Sequence, residues 1–245
     1  MILTTLFLLF YPIILLIITL HRNIFGKTYI ISVEGNIGSG KSTLVSKLSK
    51  CQKKNWYFLQ EPVDEWKSIE DSNGDNILSK FYNNQKRYSY LFQNFAFITR
   101  VTKLNNLLSK IKSLFSNNYV IIERSIYSDK HVFAKKLRND KLLSELEYNI
   151  YNYWFHSLNY KMLVSGHIYL KVSPSISYER VLKRKRKEED TIPLEYLSSL
   201  NDYHDDWLNN TSVPTLIINC DEDFENNDKK YTEIKNNINS FIRNL

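Results

Sequence analysis

The stretch Gly35-Asn36-Ile37-Gly38-Ser39-Gly40-Lys41-Ser42-Thr43 follows directly on the apolar run Tyr29–Val33 and leads into a helical pattern from Ser42 to Lys50. Strand, glycine-rich loop and helix in that order form the context in which this spacing binds phosphate. Gly35, Gly38 and Gly40 permit positive φ and close backbone approach to an anion, so several N–H groups can point inward. Lys41 is placed to reach the β- and γ-phosphates, Ser42 to offer a hydroxyl to Mg²⁺, and the helix to aim its positive end at the same point. The loop as a whole, with Asn36, Ile37, Ser39 and Thr43, is expected to hold ATP or another nucleoside triphosphate.

Outward from the loop, short β-rich runs recur at Tyr29–Val33, Trp56–Gln60, Tyr119–Glu123, His167–Val172 and Thr215–Cys220, with helical patterns between them. This predicts an α/β fold: a wound, five-stranded parallel sheet flanked by helices. The longest helix is expected over Lys86–Phe115, with Leu91, Phe95, Ile98, Val101, Leu104 and Leu108 as its apolar stripe. Others are expected at Lys141–Leu158, from Ser173-Pro174 and from Pro193, each proline at a first helical position, and over Asn226–Arg243. Asp71–Asp75, with Gly74, reads as a loop.

The chain has 245 residues and a formal net charge of +7. One catalytic domain over 28–245 is expected, behind a hydrophobic segment over 1–27. Six of the eight residues Arg180 to Lys187 are Lys or Arg, and no second basic stripe exists. That distribution suits anionic substrates and argues against a nucleic-acid surface. Cys51 and Cys220 lie far apart and form no metal or redox motif. Ile2–Leu20 is uncharged and, at 19 residues, just long enough to cross a bilayer. Arg22 and Lys27 on its downstream flank would leave the catalytic domain cytoplasmic, tethered to a membrane; the competing reading is an apolar extension from an upstream start.

Glu61 follows the second strand and Glu123-Arg124 ends the third, so both reach the carboxyl edge where ligands of wound sheets sit. A carboxylate at Glu61 could bind Mg²⁺, act as a base or cap a loop. Glu123 suits the Mg²⁺ shell, partly through water, and Arg124 the charge on a phosphoryl group in flight. Gln93, Ala96 and Arg100 share one face of the long helix, where an amide and a guanidinium suit a planar heterocycle.

These residues, with Trp66, Tyr82, Phe92, Ser125-Ile126-Tyr127-Ser128-Asp129, Ile192-Pro193-Leu194-Glu195-Tyr196 and Glu222-Asp223-Phe224, resemble the motif series of deoxynucleoside kinases of the deoxycytidine/deoxyguanosine kinase type. The resemblance runs from about Tyr29 to the C-terminus and implies a P-loop kinase fold. It implies Glu61 as the base for a nucleoside 5′-hydroxyl, with Arg124 and Lys41 as its catalytic companions. Tyr82 and Glu189 would bind the 3′-hydroxyl, Gln93 the base edge, and Phe92 and Phe133 the two faces of the base. Trp66, Phe81, Ala96, Arg100 and Asp129 would complete that site. Arg180 and Arg184 would close over ATP as a lid, and Glu222, Asp223 and Phe224 would hold its adenine. A homodimer is implied in the same way.

Ala96, Arg100 and Asp129 match the deoxycytidine/purine type. A carboxylate at Asp129 can accept from an exocyclic amino group but would face the O4 acceptor of thymine. Phe81 departs from the smaller, more flexible residue common in the family, and its bulk bears on how large a base fits. Two other readings use the same features: a nucleoside monophosphate kinase, and a non-catalytic, membrane-associated structural protein of this fold.

Overall fold

The computed structural model describes residues 26–51, 53–111, 116–159 and 162–245. The predicted membrane segment Ile2–Leu20 lies outside them, as does the predicted end of the long helix at Phe115. Among the described residues no helix is long and apolar enough to cross a membrane.

Five parallel strands form one sheet in the order β2-β3-β1-β4-β5. They are β1 (Thr28–Glu34), β2 (Trp56–Leu59), β3 (Asn118–Glu123), β4 (Gly166–Lys171) and β5 (Thr215–Asn219). The period-2 side-chain alternation divides the core between the sheet's two faces. Ile31, Val33, Ile121, Ile168 and Ile218 pack with Leu44, Val45 and Leu48 of α1 (Lys41–Ser49) and with Ile234, Ile238 and Ile242 of the terminal helix. Ile30, Val120 and Ile122 pack on the opposite face with Phe97, Val101, Leu104, Tyr151 and Phe155.

Register decides what meets at the carboxyl edge. Val33 pairs with Glu123 and Leu59 with Ile122. Two residues beyond these pairs, Gly35 is level with Ser125 and Glu61 with Arg124. The phosphate loop, Glu61 and Arg124 therefore share one edge because of strand pairing alone.

After β2 come two short helices absent from the sequence reading, α2 (Val63–Ser68) and α3 (Ile77–Asn83), the second capped by Asn76. They carry Trp66, Phe81 and Tyr82. The long helix α4 spans Gln85–Leu108, capped by Asn84. Its buried face is Phe92, Gln93, Ala96, Phe97, Arg100, Val101 and Leu104, whereas Leu91 and Ile98 of the expected stripe are 47% and 42% exposed. Helical periodicity offered two overlapping apolar faces, and packing against the sheet and the cavity selected the one that also carries polar groups.

Beyond β3, α5 (Ile126–Ser128) runs through a π-helical turn, Asp129–Ala134, into α6 (Lys135–Asn139). Helix α7 is Glu145–Leu158, starting later than expected because Ser144 and Glu147 form a capping box and Lys141 sits in a turn at φ 58°. Pro174 is the first residue of α8 (Pro174–Arg184), as expected. Pro193 is instead the N-cap of α9 (Leu194–Asn210), extended at φ −81° and ψ 158°. The terminal helix α10 is Asp228–Arg243, with Asn227 accepting from the Lys230 N–H at 3.0 Å.

Candidate active site

A cavity of about 560 Å³ opens at the carboxyl edge of the sheet. Its wall carries Gly38, Gly40, Lys41, Ser42 and Thr43 of the loop together with Glu61, Glu123 and Arg124. Trp66, Phe81, Tyr82, Phe92, Gln93, Ala96, Arg100, Asp129, Phe133 and Glu189 line the same space, as do Arg180, Arg184, Asp223 and Phe224. Nearly all the residues singled out from the sequence thus meet in one place.

The loop is shaped by its own buried polar contacts. Gly40 has φ 91°, and a Cβ there would lie 3.0 Å from the Phe224 ring, so this end of the cavity requires glycine on two counts. Asn36 and Ser39 lie behind the cavity wall: the Asn36 amide donates to the Leu197 carbonyl at 2.8 Å and its Oδ1 accepts from Ile37 N–H. Lys41 turns back to donate to the Asn36 carbonyl at 2.6 Å. Burial, aided by the Arg124 charge, brings the Lys41 ammonium down to about 7. Ser42 Oγ donates to Glu123 Oε1 at 2.6 Å. That hydroxyl–carboxylate pair offers hard oxygen donors beside the loop, a donor set that fits Mg²⁺.

Glu61 is held by two guanidiniums, with Arg100 Nη2 at 3.0 Å and Arg124 Nε at 3.3 Å. Burial would raise its carboxyl, but Arg124, Arg100 and Lys41 outweigh that and bring it down to about 2. Arg124 is itself 3% exposed and sits at φ 59°, a left-handed conformation that a non-glycine residue adopts only when its surroundings over-determine it. Its guanidinium lies 4.8 Å from the Phe133 ring centroid and 3.4 Å from His204 Nε2.

Arg100 makes a two-pronged contact with Asp129, Nε to Oδ2 at 2.9 Å and Nη2 to Oδ1 at 3.2 Å, and donates to the Glu123 carbonyl at 3.2 Å. Burial pushes the Asp129 carboxyl above its ordinary value, and Arg100 offsets this only in part. Gln93 Nε2 donates to the Asp129 backbone carbonyl at 3.0 Å. Phe81 stacks on Phe92 at 4.7 Å and leans on Tyr82 at 5.1 Å, so its bulk narrows the space beside that aromatic wall.

The arginines expected to form a lid are paired within the protein. Arg184 and Arg186 both pair with the Glu189 carboxylate, and Arg180 donates to the Asp221 carbonyl at 2.9 Å. The arginines assigned to a donor and the carboxylate assigned to a sugar are therefore bound to one another or to backbone. Glu222 does not line the cavity: its side chain accepts from Asn227 at 2.9 Å and faces Lys230, while Glu225 and Asn226 take the wall position. Arg186 lay within the basic run and was legible there. Glu188, whose carboxylate meets Lys67 and Asn76, and the buried His204 carried no local sign of their placement.

A family model described as deoxynucleoside kinase matches residues 31–243. The probable deoxycytidine kinase of fowlpox virus (strain NVSL) is 39% identical over 222 residues, covering 88% of each chain. The mitochondrial deoxyguanosine kinase of Xenopus laevis is 35% identical over 239 residues, covering 88% of this chain and 90% of its own. The deoxycytidine kinase of Homo sapiens is 32% identical over 243 residues, covering 88% and 91%. A phosphate loop, an acidic–basic pair at the neighbouring strand ends and a match spanning almost the whole described domain lead to one conclusion: the chain belongs to the deoxynucleoside kinase family and is a kinase.

Proposed function

We propose that this kinase transfers the γ-phosphoryl group of ATP to the 5′-hydroxyl of a 2′-deoxynucleoside, with deoxycytidine and purine deoxynucleosides preferred over thymidine, in nucleotide salvage. The observation that carries the reading is Glu61, whose carboxylate lies between Arg100 and Arg124 in the cavity that Lys41 also lines. Lys41 and the loop N–H groups hold the polyphosphate, and Phe92, Phe133, Gln93 and Asp129 hold the base. Glu61 accepts the hydroxyl proton. A carboxylate near 2 is a weak base in the ground state, so the proton leaves late, as the loose transition state makes the hydroxyl acidic. Mg²⁺ held by Ser42, with Glu123 nearby, would neutralise charge on the β- and γ-phosphates.

The lid supplies a coupling. For Arg184 to reach a phosphate it must release Glu189 Oε2, and that release frees this oxygen for the sugar 3′-hydroxyl beside Tyr82 while Arg186 still holds Oε1. Arg100 and Asp129 favour bases with an exocyclic amino group, because a carboxylate accepts from N–H and repels a carbonyl. A panel of nucleosides and nucleoside monophosphates, assayed with ATP and Mg²⁺, tests the reading. Turnover of deoxycytidine 5′-monophosphate without turnover of deoxycytidine would overturn it, and a kcat/KM for thymidine equal to that for deoxycytidine would overturn the base preference.

Two further parts complete the proposal. Leu146, Ile150, Tyr153 and Trp154 of α7 and Leu91 and Ile98 of α4 expose apolar surface that a second copy of the chain covers in a homodimer; a monomeric mass in multi-angle light scattering would refute this. Residues 2–20 tether the cytoplasmic domain to a membrane, which carbonate extraction of membrane fractions tests.

A further inference from the structure

His204 is fully buried, in the middle of α9, yet nothing in the chemistry above uses it. Its Nδ1 is 2.7 Å from the Leu200 carbonyl, an acceptor only, so the ring's proton must sit on Nδ1. Nε2 is then a bare acceptor, and the group in front of it is Arg124 Nη1 at 3.4 Å. The ring cannot turn away: it stacks on Tyr169 at 6.2 Å and 9°, and meets Phe133 edge-on at 6.4 Å. Tyr169 is fastened in turn through its hydroxyl to Asp205, one residue further along α9. Burial, then the Arg124 charge, holds the imidazole well below its ordinary pKa, so the ring stays neutral.

We infer that His204 is a positioning residue for Arg124, fixing the direction from which that guanidinium meets Glu61 and the transferred phosphoryl group. Arg124 has a left-handed backbone, and Nε, Nη1 and the guanidinium face are each engaged, by Glu61, His204 and Phe133. Only the histidine among those three contacts lies away from the substrate positions, so it alone can hold the guanidinium while Glu61 and Phe133 respond to ligand. Helix α9 also accepts the Asn36 amide at the Leu197 carbonyl. One helix thus indexes both the phosphate loop and the arginine.

The inference rests on the role given to Arg124 under the proposed function, and the test separates the two. In the full-length chain, H204L removes the acceptor, H204Q restores one near the Nε2 position, and H204N offers one only near the Nδ1 position. Loss of a hydrogen bond to a charged group predicts that H204L lowers kcat about tenfold, with KM for both substrates within about twofold. H204Q should recover kcat to within about threefold although, lacking the ring, it melts as low as H204L. In an R124K background the H204L effect should shrink to under about twofold. Equal losses in H204L and H204Q, or an undiminished H204L effect in R124K, would overturn the inference. Should H204L not fold, H204N against H204Q makes the same comparison: a poor H204N beside a recovered H204Q supports it, and equal rates refute it. If R124K itself keeps the wild-type rate, the role of Arg124 fails, whatever His204 does.

Discussion

Replacing Arg100 by Met exposes the logic of the buried charges most directly. The change removes two hydrogen bonds to Asp129, one to Glu61 and one to the Glu123 carbonyl. Glu61 keeps Arg124, but Asp129, only 2% exposed, loses its cation. Breaking a buried pair from one side costs about 3–5 kcal/mol. For a chain of this size that is a fall in Tm of roughly 10 °C. Removing Asp129 as well takes away the stranded charge, so R100M/D129A should be more stable than R100M, with a coupling of about 2 kcal/mol in the double-mutant cycle. The pH dependence has a definite sign. Without Arg100 the folded carboxyl is raised further above its unfolded value, the native state binds the extra proton, and R100M gains stability as pH falls from neutral. Urea unfolding of the four proteins at several pH values measures both effects. Additive losses together with a pH-independent R100M would refute the claim that Asp129 depends on Arg100. In the nucleoside panel the double variant should also move relative kcat/KM toward thymidine.

Other expectations concern the rest of the cavity. Glu61→Gln should fold and lose about 100-fold or more in kcat, and a near wild-type rate would exclude Glu61 as the base. The Glu61 carboxyl is depressed to about 2, so its contribution of about 3 kcal/mol is present above its unfolded value near 4.5 and lost as pH falls toward 2. Acid titration of the wild type and Glu61→Gln by circular dichroism should show the variant's stability changing less across that window; superimposable slopes would count against the pairing. Gly40→Ala combines φ 91° with a contact 3.0 Å from Phe224, and should lower stability by about 1–3 kcal/mol and weaken ATP binding. Unchanged melting and ATP affinity would show that the loop has slack. Glu188→Gln keeps the shape of the lid segment but removes its charge opposite Lys67, so KM for the nucleoside should rise more than KM for ATP, and an equal rise in both would contradict a link to α2 and α3.

The order of strands, loop and helices was legible in the sequence because it rests on short-range rules. Alternating apolar residues, three glycines and a helix-starting Ser-Pro act over a few positions, and the parallel pairing of the strands then carries Gly35, Glu61 and Arg124 to one edge. What needed the tertiary structure were choices between locally equivalent options. Helix α4 had two apolar faces, and only packing decided that Phe92, Phe97 and Val101 go inward while Leu91 and Ile98 face out. The arginines of the basic run had many carboxylates within reach in sequence, and the fold paired Arg184 and Arg186 with Glu189 and turned Glu222 outward. His204 is the plainest case: it stands 80 residues from Arg124, and no local pattern records a contact that exists only because the fold brings α9 to the residue that follows β3. Propensity and spacing fix what each segment can be, whereas burial and charge pairing across the fold decide which side chain meets which.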